Sequence, residues 1–238
     1  MSLSLHSQWS FVAFGAGPRA ERMRSARETL RPFAVVRFGT KAGDEALSEM
    51  ANETLPATAF KSPAIALSGV VDYEMYTKFR TQFDNASDQN IVVIELSTLG
   101  GDPEVARMMG EDVRFASEME PARRFVFLGK AAIYSAGVTF MSFFAKENRY
   151  LARGTRLMIH ERKLSKQLVI DGPLTTCVAV VKATLNEIEC SIAIQNEGFQ
   201  NLVLGSSVTL DEVLAKAPSN WYLEAQEAKS LGLVEAVL

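Results

Sequence analysis

Apolar and polar positions are distributed unevenly along the 238-residue chain, and the change of texture divides it in two. Residues 1 to about 60 show no sustained period. From Lys41 to Pro63, Gly, Ala, Glu, Asn, Thr and two prolines mix without apolar repetition, which predicts an arm and linker over residues 1–60. From Ala64 onward short apolar runs alternate with helical patterns, so residues 61–238 are expected to form an α/β domain around a largely parallel sheet. The expected strands are Ala64 to Leu67, Ile91 to Leu96, Arg124 to Leu128 and Arg156 to Ile159, each rich in the Val, Ile, Leu or Phe of strands covered on both faces. Asp102-Pro103 joins an N-cap residue to a proline at the first helical position, and Val105, Met108, Met109, Val113 and Ala116 give that helix a core face. The longest helix is expected to begin near Gly172-Pro173 and reach about Leu202. Its apolar stripe is Leu174, Val178, Val181, Leu185, Ile188, Ile192, Phe199 and Leu202. Roughly 30 residues make a rod of about 45 Å. That exceeds what a compact domain of this size needs, so either part of the rod packs against another subunit or the helix breaks near Gly198.

Composition narrows the class. Hydrophobic residues at 47% and charged residues at 22% are those of a globular chain rather than a disordered or fibrous one. The only cysteines are Cys177 and Cys190 and the only histidines His6 and His160, too few for a zinc cluster with recognisable spacing. No metal and no cofactor is expected, and a reducing compartment is the simplest inference. The two cysteines fall in the long helix about 220° apart around its axis, so they cannot pair within it and are expected to be core or interface thiols.

The net charge of −3 provides no global field toward nucleic acid or acidic lipid. Residues 1–41 nevertheless carry six arginines and Lys41 against Glu21 and Glu28, a net +5 that leaves −8 elsewhere. Such an arm is either a solvated tail or a contact for a partner subunit or acidic surface. No stretch approaches the roughly 18 apolar residues of a membrane span, and no secretory pattern opens the chain, so a cytoplasmic protein is expected. The arginine-rich start also resembles an organellar transit peptide, although Trp9 to Ala16 is apolar rather than amphipathic.

Three local features can carry chemistry, and each has a structural alternative. Gly100-Gly101 separates a strand from the helix at Asp102-Pro103; it is either a tight turn or a place where backbone N–H groups approach a substrate oxygen. Ser135, in Tyr134-Ser135-Ala136-Gly137, precedes an apolar helix expected to run to about Ala145. It is either the helix cap or a nucleophile whose neighbour Ala136 offers its N–H to an oxyanion. His160 closes the apolar run Leu157-Met158-Ile159 and is the only histidine of the α/β region, so any imidazole-dependent chemistry there must use it.

Together these segments resemble the proteolytic subunit of the Clp protease, within the wider ClpP/crotonase-like superfamily, over about Ala64 to Val237. Thr98-Leu99-Gly100-Gly101 resembles the family's Ser-Pro-Gly-Gly turn, Ser135-Ala136-Gly137 its Ser-x-Gly nucleophile, and Leu157-Met158-Ile159-His160 its strand ending in the catalytic histidine. The tail from Tyr222 through Glu235 resembles the family's closing helix and strand. The resemblance implies a spiral of β-β-α units with a long helix in the C-terminal half. It also implies Ser135 as nucleophile, His160 as general base, and the N–H groups of Gly100 and Ala136 as oxyanion donors.

The chain departs from the pattern in four places. Lys216 stands where the family has its catalytic aspartate, Leu99 replaces a proline, Ile133-Tyr134 look inserted before the serine, and Glu161-Arg162-Lys163 is unusually charged. Replacement partners for His160 are Glu212, one helical turn before Lys216, its neighbour Asp211, and Asn220 by analogy with Cys-His-Asn sites. Lys163 and Lys216 are available for a Ser-Lys dyad, and no spacing favours either.

The leading expectation is a serine peptidase or related acyl hydrolase that forms an acyl-enzyme at Ser135, acts on a peptide or protein substrate and assembles as a homo-oligomer. The resemblance also leaves room for a partner ATPase. The alternatives are a catalytically degenerate scaffold that builds oligomers or binds partners, and, ranked last, a crotonase-type acyl-CoA enzyme.

Overall fold

The computed structural model describes Leu55 and residues 57–238; the other residues of the expected arm, with His6 and the arginine-rich segment, lie outside the described residues. Among the described residues seven strands share one sheet. They are β1 (Ile65–Ser68), β2 (Ile91–Thr98), β3 (Arg124–Tyr134), β4 (Arg149–Leu151), β5 (Arg156–Ile159), β6 (Trp221–Glu224) and β7 (Ala236–Val237). The helices are α1 (Tyr73–Asn85), α2 (Pro103–Met119), α3 (Ala136–Met141), α4 (Leu174–Val203), α5 (Leu210–Lys216) and α6 (Ala225–Ser230). The order β1-β2-β3-β4-β7 is parallel throughout, while β5 pairs with β3 in parallel and β6 pairs with β5 antiparallel.

The continuous apolar run of β2 has its reason in this layering. Val92, Val93, Ile94 and Leu96 are all buried because both faces of the strand are covered. One face packs into the main core with Phe79 of α1, Val105 and Met109 of α2, and Phe140 of α3. On the other face Val93, Val126, Leu128 and Tyr150 form a smaller cluster with Leu55, against which Phe60 packs, its ring 4.9 Å from that of Tyr150.

Strand β3 runs past its expected end at Leu128 because it changes partner. Residues Phe127 to Gly129 pair with β4, residues Ala132 to Tyr134 pair with β5, and Ala131 between them takes a φ of 57°. The partner of the second half lies more than twenty residues further along the chain, so no local pattern announces it.

Helix α2 begins as expected. The Asp102 carboxylate accepts the N–H of Glu104 at 2.8 Å, with Pro103 at the first position. Its buried face holds Val105, Ala106, Met109, Val113 and Ala116; Met108 is a correction, since it falls outside that face and is exposed. Helix α3 stops at Met141, short of the expected Ala145.

Helix α4 is continuous through Gly198, so the expected alternative of a break there is not what forms. Only Phe199 and Leu202 near its end are buried, whereas Leu174, Val178, Val181, Leu185, Ile188 and Ile192 are exposed. Cys190 is exposed and Cys177 partly so, both as free thiols. No helix among the described residues is long and apolar enough to cross a membrane.

The end of α4 is tied down by one buried cation. Arg149, 1% exposed, donates to the carbonyls of Phe144 and Ser142 after α3, of Asn201 and Leu202 in α4, and of Leu233 before β7. Burial lowers its pKa to about 10, still high enough to keep the guanidinium charged near neutrality. A cation among helix-end carbonyls takes up acceptors that the helices cannot satisfy themselves.

Candidate active site

Two adjacent parallel strands end at the same level, and that places the chemistry. Tyr134 of β3 stands opposite Met158 of β5, and the Ser135 N–H donates to the Met158 carbonyl at 2.9 Å. Ser135 and His160 therefore leave the sheet side by side, and His160 Nε2 lies 2.6 Å from Ser135 Oγ.

Ser135 does not act as a cap: its side chain makes no bond to the first turn of α3, and its backbone sits at φ 54°, ψ −113°. A non-glycine residue held in this region carries strain that the surrounding structure must enforce. The turn resembles the strand-to-helix elbow of α/β-hydrolases, although Ile133 occupies the elbow's first glycine position. Space beside the serine comes from glycine. A Cβ on Gly100, whose φ is +115°, would stand 2.9 Å from Ser135 Cβ, and one on Gly137 would stand 2.6 Å from Thr98 Cγ2.

The two sequence-predicted oxyanion donors differ in their surroundings. Ala136 is the first residue of α3, where an N–H has no intrahelical acceptor. The Gly100 N–H instead donates to the buried Thr98 hydroxyl at 3.0 Å, and that hydroxyl donates back to the Gly100 carbonyl at 3.1 Å. Gly101, adjacent in the chain, lines the cleft together with Ser135.

Among the described residues no carboxylate is bonded to His160. Nδ1 is buried and has no hydrogen-bond partner among the described residues. The Glu212 carboxylate accepts from Lys216 Nζ at 2.7 Å, and the same ammonium lies 4.3 Å from the centre of the Trp221 ring. Asp211 is an exposed residue of the first turn of α5, and Asn220 is an exposed left-handed turn residue that closes the short helix Ala217–Ser219. Burial lowers the pKa of His160, the charge of Lys163 lowers it further, and Glu161 works in the opposite direction.

Ser135 and His160 open onto a cleft of about 400 Å³ between α2, α3 and α4. Its apolar lining includes Val138, Phe143, Ile192, Phe199 and Leu202. The charged segment after His160, which also lines the cleft, is held on two sides. The Arg162 N–H donates to Gln195 Oε1 of α4 at 2.7 Å, and its guanidinium meets Glu104 Oε1 of α2 at 2.5 Å. The other oxygen of Glu104 takes Arg107 at 2.8 Å. Burial works to raise the pKa of Glu104, but the hydrogen bonds and charges of the two arginines outweigh it and hold the group below its usual value. The unusual charge of Glu161-Arg162-Lys163 is legible in the sequence, but no local signal points to Glu104 or Gln195, whose partners are 58 and 33 residues away.

No family model matches the chain, and no curated protein matches it. Among solved structures it is similar to a mutant of ClpP1 from Listeria monocytogenes, with a TM-score of 0.56 and 19% identity, over 73% of this chain and 90% of that one. This likeness places the chain in the ClpP-like α/β fold.

Proposed function

We propose that the chain is a serine hydrolase that cleaves acyl substrates with a Ser135–His160 dyad. The observation that carries this reading is the 2.6 Å contact between His160 Nε2 and Ser135 Oγ on adjacent strand ends. His160 takes the Ser135 proton as Oγ bonds to the substrate carbonyl carbon, and the carbonyl oxygen becomes the oxyanion. The Ala136 N–H faces that oxygen from the start of α3, and the Gly100 N–H joins it by exchanging its bond to Thr98. The intermediate collapses as His160 returns the proton to the leaving group. A water that gives its own proton to His160 then hydrolyses the acyl-enzyme.

Without an orienting carboxylate this dyad works slowly. Loss of the equivalent group from a complete triad costs about 10⁴-fold, while the oxyanion hole and binding alone keep roughly 10³ to 10⁴ over water. A slow enzyme is therefore expected. We further propose that the exposed apolar stripe of α4 is covered by a second copy, because the stripe from Leu174 to Ile192 is left exposed by the described residues.

The test is to quench the protein with acid after exposure to a p-nitrophenyl ester and measure its intact mass. One added acyl group, mapped to Ser135, is the expected result. The second reading, a catalytically degenerate scaffold, is favoured by the unpartnered His160 Nδ1 and the occupied Gly100 amide; an assembled oligomer with no acyl adduct would establish it.

A further inference from the structure

An extended peptide binds beside a site of this kind by adding itself as a strand, which requires a run of open main-chain donors and acceptors along the wall. Along one wall that run is very short. The Val71 N–H donates to the Gly100 carbonyl, and the Asp102 N–H donates to the Val71 carbonyl. One edge of residues 100–102 is therefore already paired, which turns the main-chain groups of Gly101 alone toward the other edge. The next residue, Pro103, has no N–H, and the Glu104 N–H is held by the Asp102 carboxylate at 2.8 Å. The helix start leaves pairing for a single residue.

The cleft is also bridged between two of its walls. Arg162 has its backbone on α4 through Gln195 and its guanidinium on α2 through Glu104, two residues beyond His160. Arg162 is also well covered, its side chain 19% exposed. The tie thus joins α2 to α4, two of the elements that wall the cleft. The lining is largely apolar, with Thr139, Ser191 and Asn201 among its polar members, and about 400 Å³ is near the lower end of small-ligand pockets.

From these two walls we infer that the site takes a carboxylic ester of a compact apolar acid rather than an extended peptide, with Arg162 and Glu104 as the residues that set the preference. The inference rests on the hydrolase reading above and names its substrate class. The ester C–O bond breaks, the alcohol leaves with the proton held by His160, and water supplies the oxygen and proton that complete the acid.

The experiment compares two substrates with one leaving group, p-nitrophenyl hexanoate and the p-nitrophenyl ester of acetyl-Ala-Ala-Leu, each corrected for its rate with hydroxide. The full chain is expected to favour the hexanoate at least ~tenfold in kcat/KM, within the range that pocket fit commonly gives. Arg162→Ala, and separately Glu104→Gln, should each raise the relative rate on the tripeptidyl ester at least about fivefold, since either opens an ion pair worth about 1 kcal/mol that bridges α2 to the segment after His160. Equal or better turnover of the tripeptidyl ester by the unmodified chain would overturn the inference, as would an unchanged ratio in both variants. Failure is separable from failure of the hydrolase reading. A protein that neither cleaves the esters nor reacts with a fluorophosphonate loses both, whereas one that reacts with the fluorophosphonate but leaves hexanoate intact loses only the substrate assignment.

Discussion

Glu212 Oε1 lies 2.7 Å from Lys216 Nζ, and in this arrangement the carboxylate nearest in sequence to Lys216 is bonded to that lysine while His160 Nδ1 has no partner among the described residues. Both side chains are roughly two-fifths exposed, so the pair itself contributes little to stability. Glu212→Ala, Asp211→Ala and Asn220→Ala are therefore expected to keep the acylation rate of Ser135 within about fivefold, the ratio that ~1 kcal/mol sets. Stopped-flow measurement of p-nitrophenol release checks this. A loss of a hundredfold or more in any of the three would identify a third catalytic member.

The pH profile follows from the surroundings of His160. A general base works in its neutral form, and burial and Lys163 make protonation harder, so the acid limb of kcat/KM is expected below the ordinary imidazole value of 6.5. Lys163→Met removes a lowering influence and should move that limb upward. Glu161→Gln removes a raising one and should move it downward. A limb that ignores both substitutions would mean that another group titrates.

Arg149 makes a prediction about stability. Replacing it with Met leaves five backbone carbonyls without their donor in a site 1% exposed, a defect expected to cost at least ~4 kcal/mol, while Arg149→Lys should recover part of the loss. Urea unfolding of the two variants measures it. A change below about 1 kcal/mol for Met would show that those carbonyls find other partners.

Assembly is tested on the exposed face of α4. Val181→Glu together with Leu185→Glu places two charges in the middle of the apolar stripe and should lower the mass in sedimentation velocity with helicity retained. An unchanged mass would show that the stripe is not an interface.

The strands legible in the sequence are those whose burial is continuous. The run from Ile91 reads as a strand because both of its faces are covered, and Arg156–Ile159 has the same bounds in sequence and structure. The second half of β3 was not legible, because its partner β5 is distant in the chain and Ala131 turns it with no residue-level signal. At the site, Ser135 and His160 can be picked out from residue type and position. The Thr98 hydroxyl on the Gly100 amide, and the tie from Arg162 to Gln195 and Glu104, cannot be, since each depends on side-chain directions fixed only by packing. The long helix was legible in extent but not in what it covers. Its stripe has the spacing of a core face, yet most of it faces outward.

Activation of Ser135 by His160 is measured directly by labelling the purified full chain with a fluorophosphonate, read by intact mass beside Ser135→Ala and His160→Ala. The dyad predicts one adduct on the unmodified chain and none, within the same time, on either variant. A folded, unmodified chain that acquires no adduct, or an adduct that survives in Ser135→Ala, would contradict it.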